Sequence, residues 1–420
     1  MLTDLKEREI TEIKTLALKE KEIAKKDPYY MINQGLLYIK TKDMRNVPLI
    51  PNRVQRHLMA IINKALLSNK PVRIHVLKGR QFGISTLVES LIYSIVSQHD
   101  NINALCIADD VDGANYIFEM SKHFHEELKK RSPHLASEEK KSNEKKLVFP
   151  TSQIMIDTAL NPTAGRKFTY HLVHISESAF FRNYNSTMLA LNQTVPDLAK
   201  TIIIDETTAN GIGGGFYMAW KRAKAGQSNW IPLFLPWFWH EEYTLPLECE
   251  TMKFEVGLTP EEREARQHYN LTLEQINWRR YTIENKCNGD VKKFKQEYPS
   301  NDTEAFQSTG HCVFDTHALD YYTAQIVMSP KYRGYLRVKD MEQVEFIPHD
   351  DGYFEVWENP KPNESYIVGA DVGVGAGVTE DAGGKDANDG AYSAAVVLKR
   401  RTKDTVALYH ARLDPIKFAE

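Results

Sequence analysis

Hydrophobic and polar positions along this chain follow the pattern of a parallel sheet covered by helices. Short apolar runs such as "IHVL", "NALCIA", "HLVHIS" and "TIIID" are each followed by polar residues or glycine and predict strands. Between them, segments such as "LVESLIYSIV" carry apolar residues at helical spacing. Alternating strands and helices favour an α/β fold with a mostly parallel sheet. Ligands bind at the carboxyl edge of such sheets, where these polar clusters fall.

The stretch "VRIHVLKGRQFGIST" predicts a strand, a glycine loop and the start of a helix. In the phosphate-loop template G-x-x-x-x-G-K-[ST], backbone N–H groups and a lysine bind phosphate and a hydroxyl binds Mg²⁺. Gly83 and Ser85 fit this template, whereas Lys78 takes the first glycine position and Ile84 the lysine position. Lys78 and Arg80 can reach a phosphate from the strand side instead. On this stretch alone, an ordinary strand-to-helix turn is an equal alternative.

A second strand end carries a candidate catalytic acid. "HLVHISE" ends with Ser176 and Glu177, and a carboxylate there would orient or activate the attacking water of an ATPase. Ser176 stands where such enzymes have an aspartate that helps to hold Mg²⁺, so another acid has to compensate for the missing charge. Asp205 and Glu206, at the end of the next strand, are candidates, and our hypothesis is Asp205.

Two loops add candidates whose ordinary interpretations stay open. Thr207 and Thr208 follow the same strand, with Asn210 and several glycines behind them. Hydroxyls at a sheet edge would sense the γ-phosphate and pass its loss to a movable segment, although a flexible polar loop gives the same pattern. Arg166 lies in a glycine-containing loop shortly before Glu177, where an arginine finger would be delivered, although most loop arginines are simply solvated.

Length and composition indicate a globular protein of two domains. The chain has 420 residues, more than one ordinary core holds, and a formal net charge of −3, so any DNA contact must use a local basic face. Its 4 cysteines are scattered without zinc-site spacing, which is typical of a reducing cytoplasm. The sequence has no apolar run long enough to span a bilayer and no signal-peptide pattern at its start.

Taken together, the motifs resemble the large terminase subunits of tailed double-stranded DNA bacteriophages, the motors that pump DNA into procapsids. Gln55, "KGRQFGIST", "HISESAFF" and "TTANG" occur in that family's order, with an Arg-Gln pair before the loop glycine and the lysine at the start of the loop. The resemblance implies a RecA-like ATPase of the ASCE P-loop class with a small helical subdomain. It also implies these nucleotide-binding residues: Gln55 on the adenine, Lys78, Gly79, Arg80, Gln81, Gly83, Ile84, Ser85 and Thr86 in the loop, and Thr207 and Thr208 as the coupling motif.

The resemblance assigns catalytic and metal roles as well. Glu177 matches the catalytic carboxylate, Arg80 belongs to the loop's Arg-Gln pair, and Arg166 matches an arginine that acts on the neighbouring subunit in some members. The implied cofactors are ATP and Mg²⁺, and the expected metal residues are Ser85, Ser176 and Asp205.

The last hundred residues resemble the start of the family's second domain. "ESYIVGADVGVG", "AYSAAVVLKR" and "TVALYHARL" predict three meandering strands. In terminases this is the beginning of an RNase H-like nuclease, whose metal-binding aspartate is matched by Asp371, with Asp389 as an auxiliary candidate. Two-metal cleavage with Mg²⁺ or Mn²⁺ needs several converging carboxylates. We therefore expect a fragment or truncated product that lacks nuclease activity on its own.

The predicted boundaries follow from these assignments. The ATPase domain is expected at residues 1–310, including an N-terminal helical region at 1–45 and a linker subdomain at about 230–307, and the nuclease start at 311–420. The family implies double-stranded DNA, a portal protein and a small terminase subunit as partners, and a homo-oligomeric ring on the procapsid without a membrane. The location would be the host cytoplasm and, transiently, the portal vertex.

Two rival functions remain open at this point. A helicase or DNA-repair ATPase would share the core, although we find no second RecA-like half. A DNA-binding assembly component with a decayed ATP site would explain Ile84 and Ser176.

Overall fold

The computed structural model describes residues 2–161, 164–166, 168–248, 251–307, 329–340, 343–349, 352–373 and 393–411. The chain divides into two compact units, Met1–Val313 and Phe314–Glu420. No helix in the described ranges is long and apolar enough to cross a membrane.

The first unit contains helices and strands in alternation over most of its length. Its helices are α1 Leu2–Lys26, α2 Tyr30–Asn33, α3 Arg53–Leu67, α4 Ile84–Gln98, α5 Val111–Arg131, α6 Tyr184–Thr194, α7 Gly215–Lys224, α8 Thr251–Val256, α9 Pro260–Tyr269, α10 Leu273–Lys286, α11 Val291–Glu297 and α12 Asp302–Gln307. Its strands are β1 Tyr38–Lys40, β2 Asn46–Pro48, β3 Val72–Lys78, β4 Asn103–Ala108, β5 Lys141–Ser142, β6 Lys146–Val148, β7 Gln153–Thr158, β8 Leu172–Ser176, β9 Ile202–Thr207 and β10 Ile231–Leu235.

Eight strands form the main sheet in the order β10-β3-β9-β8-β4-β7-β6-β5. The pairs from β10 through β7 are parallel, and β5 and β6 add an antiparallel edge. One strand, β9, lies between the strand that precedes the glycine loop, β3, and the strand that ends before Glu177, β8. This inserted strand is the arrangement of RecA-like ASCE domains, so the predicted fold class is confirmed.

The two faces of the sheet belong to different cores because successive side chains of a strand point to opposite faces. On β9, Ile202 and Ile204 join one cluster of buried residues, which includes most of the apolar side of α4. Ile203 joins the other cluster, together with residues of α6 and α7. Every residue of β3 and β9 is buried. Any polar side chain on these strands must therefore find its partner inside the protein.

A helical segment after β10 has its own aromatic core. Trp237, Trp278 and Phe294 pack together there, with ring centroids of Trp237 and Trp278 5.3 Å apart. The linker subdomain expected at about 230–307 differs at its beginning, since residues 231–235 form β10 of the main sheet. Pro232 in that strand is tolerated because β10 is an edge strand. Likewise, the N-terminal region expected to be helical contains the hairpin strand β1.

The described residues of the second unit contain a six-stranded antiparallel sheet. Its strands are β11 Tyr332–Asp340, β12 Gln343–Pro348, β13 Phe354–Val356, β14 Tyr366–Asp371, β15 Ser393–Lys399 and β16 Thr405–Ala411. Their order is β12-β11-β13-β16-β15-β14, so the three meandering strands expected from the sequence are present at one side of the sheet.

Candidate functional site

The glycine loop connects β3 to α4 through a conformation that requires glycine. Gly83, the N-cap of α4, has φ +70°, in the left-handed region that favours glycine. A Cβ atom there would lie 2.9 Å from Gln55 Nε2. The turn points the first N–H groups of the 15-residue helix α4 out of the carboxyl edge of the sheet. Such a helix N-terminus after a parallel strand is a ready anion site.

Gln55 lies beneath the loop and is already engaged there. Its side-chain oxygen accepts from the N–H of Asn52 at 2.9 Å as half of a capping box, and its Nε2 donates to the carbonyl of Gly83 at 2.6 Å. Asn52 in turn donates to the carbonyl of Phe82 at 3.2 Å. In this geometry Gln55 holds the loop in shape, and the adenine contact that the family resemblance implies for it stays a prediction.

The helical segment after β10 holds the other side of the loop. The N–H of Arg80 donates to the backbone carbonyl of Glu297 at 3.1 Å, and Tyr243 Oη donates to the carbonyl of Arg80 at 2.6 Å. His240 Nε2 contacts the carbonyl of Gln81 at 3.2 Å. The guanidinium of Arg80 is 58% exposed and pairs with the Glu297 carboxylate. This contact raises the pKa of Arg80. Arg80 is therefore directed to α11 and not to the acids at the sheet edge.

Lys78, the last residue of β3, is buried between two carboxylates. Its Nζ lies 3.2 Å from Glu177 Oε1 and 3.2 Å from Glu206 Oε2. Burial alone would lower the pKa of Lys78, but the charges of Glu206 and Glu177 outweigh it and raise this pKa above its usual value. The lysine is thus an ammonium ion at the position where the loop begins.

Glu206 is the centre of the polar network at this edge. It is completely buried, and its Oε1 accepts from Ser85 Oγ at 2.5 Å, Ser176 Oγ at 3.1 Å and His174 Nε2 at 3.3 Å. Burial disfavours its charge, but Lys78 and His174 more than compensate and hold the pKa of Glu206 below its usual range. The Glu206 carboxylate therefore faces the hydroxyl of Ser85, the residue expected to bind Mg²⁺.

Behind Glu206 the network continues into the protein. His174 Nδ1 donates to Glu89 Oε1 at 2.7 Å, and Glu89 Oε2 accepts from Ser121 Oγ at 2.9 Å. Burial opposes the charged imidazolium, but hydrogen bonds to Cys106, Glu206 and Glu89 raise the pKa of His174 well above its usual value. The Glu89, Cys106 and His174 ligand atoms lie within 4.8 Å of one another. In this group the His174 ring lies between the carboxyl groups of Glu89 and Glu206.

Asp205 does not belong to the network, contrary to the hypothesis drawn from the sequence. Its Oδ2 lies 2.8 Å from His75 Nδ1 and 3.1 Å from Tyr184 Oη, on the opposite face of β9. The reason is the alternation of side chains along a strand, which sends adjacent residues to opposite faces. The residue that meets Ser85 and Ser176 is Glu206, one position later.

Glu177 follows β8 in a strained turn. Its φ of 55° and ψ of 39° lie in the left-handed region, which is uncommon for residues other than glycine and is concentrated at functional sites. Its Oε2 accepts from the Thr208 N–H at 3.2 Å, from Thr208 Oγ1 at 3.2 Å and from Thr207 Oγ1 at 3.4 Å. The predicted catalytic acid and the predicted coupling motif are thus in direct contact.

The remaining predicted site residues lie elsewhere. Ile84 is buried in the core, so the template's lysine position faces away from any ligand. Thr86 Oγ1 donates to Met120 Sδ at 3.7 Å. Arg166 is exposed, and among the described residues no ion pair joins it to the acids of this network. Asp371 is exposed at the end of β14 in the second unit, and Asp389 lies outside the described residues.

No family model matches the sequence. Several solved structures resemble this one. The large terminase ATPase domain of Thermus phage P74-26, as a mutant, is 15% identical, with 60% of this chain and 94% of that chain covered and a TM-score of 0.39. The large terminase of bacteriophage HK97 is 10% identical, with 90% and 66% covered and a TM-score of 0.45.

A third similar structure is the large terminase of a thermophilic bacteriophage in complex with ADP. It is 11% identical, with 88% of this chain and 70% of that chain covered and a TM-score of 0.38. At these identities the similarity concerns the fold.

Proposed function

We propose that this chain is an ATP-hydrolysing motor that moves double-stranded DNA into a phage procapsid, as large terminase subunits do. One observation carries the proposal. Lys78, Ser85 and Glu177 lie at the carboxyl edge of a parallel sheet, beside a glycine loop and a helix N-terminus. Glu206 contacts both Lys78 and Ser85, and Lys78 contacts Glu177. A lysine, a hydroxyl and a catalytic carboxylate in this arrangement are what phosphoryl transfer from a nucleoside triphosphate requires.

The residues present fit a nucleoside triphosphate with Mg²⁺. The N–H groups of the loop and of the first turn of α4 would bind phosphate oxygens, and Lys78 would turn from its two carboxylates toward the β- and γ-phosphates. The oxygen atoms of the Ser85 hydroxyl and of the completely buried Glu206 carboxylate face one point, and the small Ser176 side chain lies beside them. Oxygen ligands in this arrangement suit a hard cation. When bound, Mg²⁺ would neutralise charge on the β- and γ-phosphate oxygens.

Glu177 would position the water that attacks the γ-phosphorus and accept its proton. Its carboxylate is 35% exposed, so water can reach it, while the N–H and hydroxyl of Thr208 fix one of its oxygens. Those hydrogen bonds fix the direction of the carboxylate, as a general base requires. ADP and phosphate would then be the products.

Thr207 and Thr208 would pass the loss of the γ-phosphate to the segment behind them. Thr207 Oγ1 accepts from the Ala179 N–H at 3.2 Å, and Asn210 Nδ2 donates to the Ala179 carbonyl at 3.1 Å. A shift of Glu177 would therefore be transmitted to both the N–H and the carbonyl of Ala179. In the proposed motor this shift moves DNA, whose backbone would be gripped electrostatically and with strong salt dependence.

Further roles complete the proposal by analogy with terminases. Subunits would form a ring on the procapsid with a portal protein and a small terminase subunit, and the exposed Arg166 would reach the neighbouring subunit's ATP. In the second unit, Asp371 would be one metal ligand of an RNase H-like nuclease that uses Mg²⁺ or Mn²⁺. We expect no Mg²⁺- or Mn²⁺-dependent DNA cleavage by this chain on its own, and cleavage that is lost in Asp371→Ala would contradict this expectation.

Steady-state ATP hydrolysis by the full chain, with and without double-stranded DNA, tests the proposal. Glu177→Gln should lower turnover by about 10²-fold or more while ATP still binds, because only the general base is removed. Lys78→Ala should lose both binding and turnover. Lys224→Ala is the control, since this lysine pairs with Asp302 on the surface.

Three outcomes would contradict the motor. A parent protein that hydrolyses no ATP at ring-forming concentrations, even with DNA, would favour an assembly component with a decayed site. Turnover unaffected by Glu177→Gln would remove the assigned base. ATP-driven strand separation, instead of movement along intact duplex DNA, would favour a helicase.

A further inference from the structure

We propose that Glu206 is the carboxylate that holds the nucleotide's Mg²⁺, in place of the aspartate that Ser176 replaces, and that Lys78 fills this cation position when no nucleotide is bound. The metal carboxylate of the site would thus come from β9 instead of β8. This inference rests on the proposed ATPase function and assigns the metal site within it.

The strand register brings Glu206 to the place of the missing aspartate. β8 and β9 are parallel, and Ser176 and Glu206 are directly paired across them. Paired residues of neighbouring strands project from the same face, so the two side chains lie next to each other. The short serine leaves room, and its hydroxyl donates to Glu206 Oε1 at 3.1 Å. The longer glutamate thereby reaches the space that an aspartate at position 176 would fill.

The contact with Ser85 connects this carboxylate to the metal. In phosphate-loop enzymes the loop hydroxyl and the strand-end aspartate together hold Mg²⁺. Here Ser85 Oγ lies 2.5 Å from Glu206 Oε1, so both oxygens face one point in front of the helix N-terminus. Mg²⁺ takes oxygen ligands in a compact octahedron that retains several waters, and Glu206 can bind it directly or through one such water.

The buried charge of Glu206 explains why a cation must be there at every stage. The side chain has no solvent exposure, and Oε2 meets no hydrogen-bond donor in suitable geometry within the described residues. The Lys78 ammonium, 3.2 Å away, compensates its charge. If Lys78 turns to a phosphate, its share of the compensation is lost and His174, 3.3 Å from Oε1, remains. Removing one partner of a buried charge is strongly unfavourable. A divalent cation arriving with the nucleotide restores the compensation.

The neighbouring Asp205 provides a matched control. It is also a completely buried acid on β9 and also interacts with a histidine, at 2.8 Å, but it lies on the opposite face. Removing its charge perturbs the same strand without touching Ser85. A difference between the two positions therefore reports the metal and not the general effect of losing a buried carboxylate.

The test measures nucleotide and metal binding by the full chain, not turnover. ADP affinity is determined with Mg²⁺ and with EDTA, and Mn²⁺ bound in the presence of ADP is counted by electron paramagnetic resonance. Glu206→Gln should weaken Mn²⁺ binding and the Mg²⁺-dependent gain in ADP affinity by about 10- to 100-fold, the usual effect of losing a metal-site partner. ADP affinity in EDTA should stay near the parent value, which also shows that the variant is folded. Asp205→Asn should leave the Mg²⁺-dependent gain unchanged.

A rescue variant covers the case in which Glu206→Gln alone does not fold. Ser176→Asp/Glu206→Gln moves the carboxylate back to β8 and should restore Mn²⁺ binding. If Glu206→Gln keeps the parent's Mg²⁺-dependent gain in ADP affinity, or if Asp205→Asn loses this gain, Glu206 is not the metal carboxylate. The ATPase proposal would stand in either case. If the parent binds no nucleotide with or without metal, the proposed function fails and this inference with it.

Discussion

The ammonium of Lys78 is held by two carboxylates at the same distance, yet one should matter far more for stability. Each pair has an N–O distance of 3.2 Å. At an effective dielectric constant of about 20, a pair at this distance attracts by roughly 5 kcal/mol before the cost of dehydration. Glu206 is completely buried, whereas Glu177 is 35% exposed and its share is screened by water. The coupling of Lys78 to Glu206 should therefore dominate.

Replacing Lys78 by Met, which has a similar shape and no charge, leaves Glu206 buried with less compensation. We expect a loss of about 3–5 kcal/mol of local stability, the usual result of removing one partner of a buried pair. Lys78→Met/Glu206→Gln should cost less than the sum of its single changes by about 1–3 kcal/mol, because the double variant leaves no unpaired charge. The matching cycle with Glu177→Gln should show a coupling below about 1 kcal/mol.

Native-state hydrogen exchange is the suitable assay because a chain of two units need not unfold in one step. The amides of β3 and β9 report the opening of the strands that carry the pair, and their exchange gives a local free energy. If the free-energy losses of Lys78→Met and Glu206→Gln add up to that of the double variant to within about 0.5 kcal/mol, the reasoning is refuted. A larger coupling in the Glu177 cycle would refute it as well.

Three further changes test the loop, the coupling motif and the helical segment. Gly83→Ala forces a left-handed alanine against Gln55 Nε2, 2.9 Å away, and should lower the unfolding free energy by about 1–2 kcal/mol and weaken ADP binding in a titration; unchanged binding would contradict the role of the loop. Thr208→Val removes one hydroxyl from the catalytic carboxylate and should reduce ATP turnover by about tenfold at unchanged ATP affinity, whereas an equal fall in both would contradict coupling through this contact. The pKa of Glu262 is lowered from its usual 4.5, because two hydrogen bonds from Arg280 outweigh the effect of burial. A depressed pKa stabilises the fold above pH 4.5 and the benefit is lost as the pH falls, so Glu262→Gln should cost about 1 kcal/mol at pH 7 and progressively less in melting curves below pH 4.5.

The sequence predicted most of the sheet and the identity of the loop because both leave strong local patterns. Apolar runs ending in polar clusters mark the parallel strands, and the displaced lysine at the start of "KGRQFGIST" marks the loop. Glu177 was assigned from its place at a strand end, and it does contact Lys78 and Thr208. These features depend on neighbours in sequence, which a single chain reveals.

The choice between Asp205 and Glu206 depended on which face of β9 each side chain projects from, and the sequence did not reveal this. β9 is buried on both faces, so its isoleucines fill consecutive positions and erase the alternation that would show which side faces α4. The register with β8 decides the question, and register is a property of the assembled sheet. Gln55 is a different case, because Asn52 three residues earlier is the pattern of a capping box and could have indicated its role.

The hydrogen bonds from the helical segment to the loop have a mechanical consequence. Tyr243, His240 and Glu297 all attach to the loop's backbone, at Arg80 and Gln81. On the loop side all three contacts end at backbone atoms, so a displacement of the loop backbone changes each of them. A loop that closes on a phosphate must carry the segment that contains these three residues with it or break the bonds. We therefore expect the loop and this segment to move together when the loop closes on a phosphate.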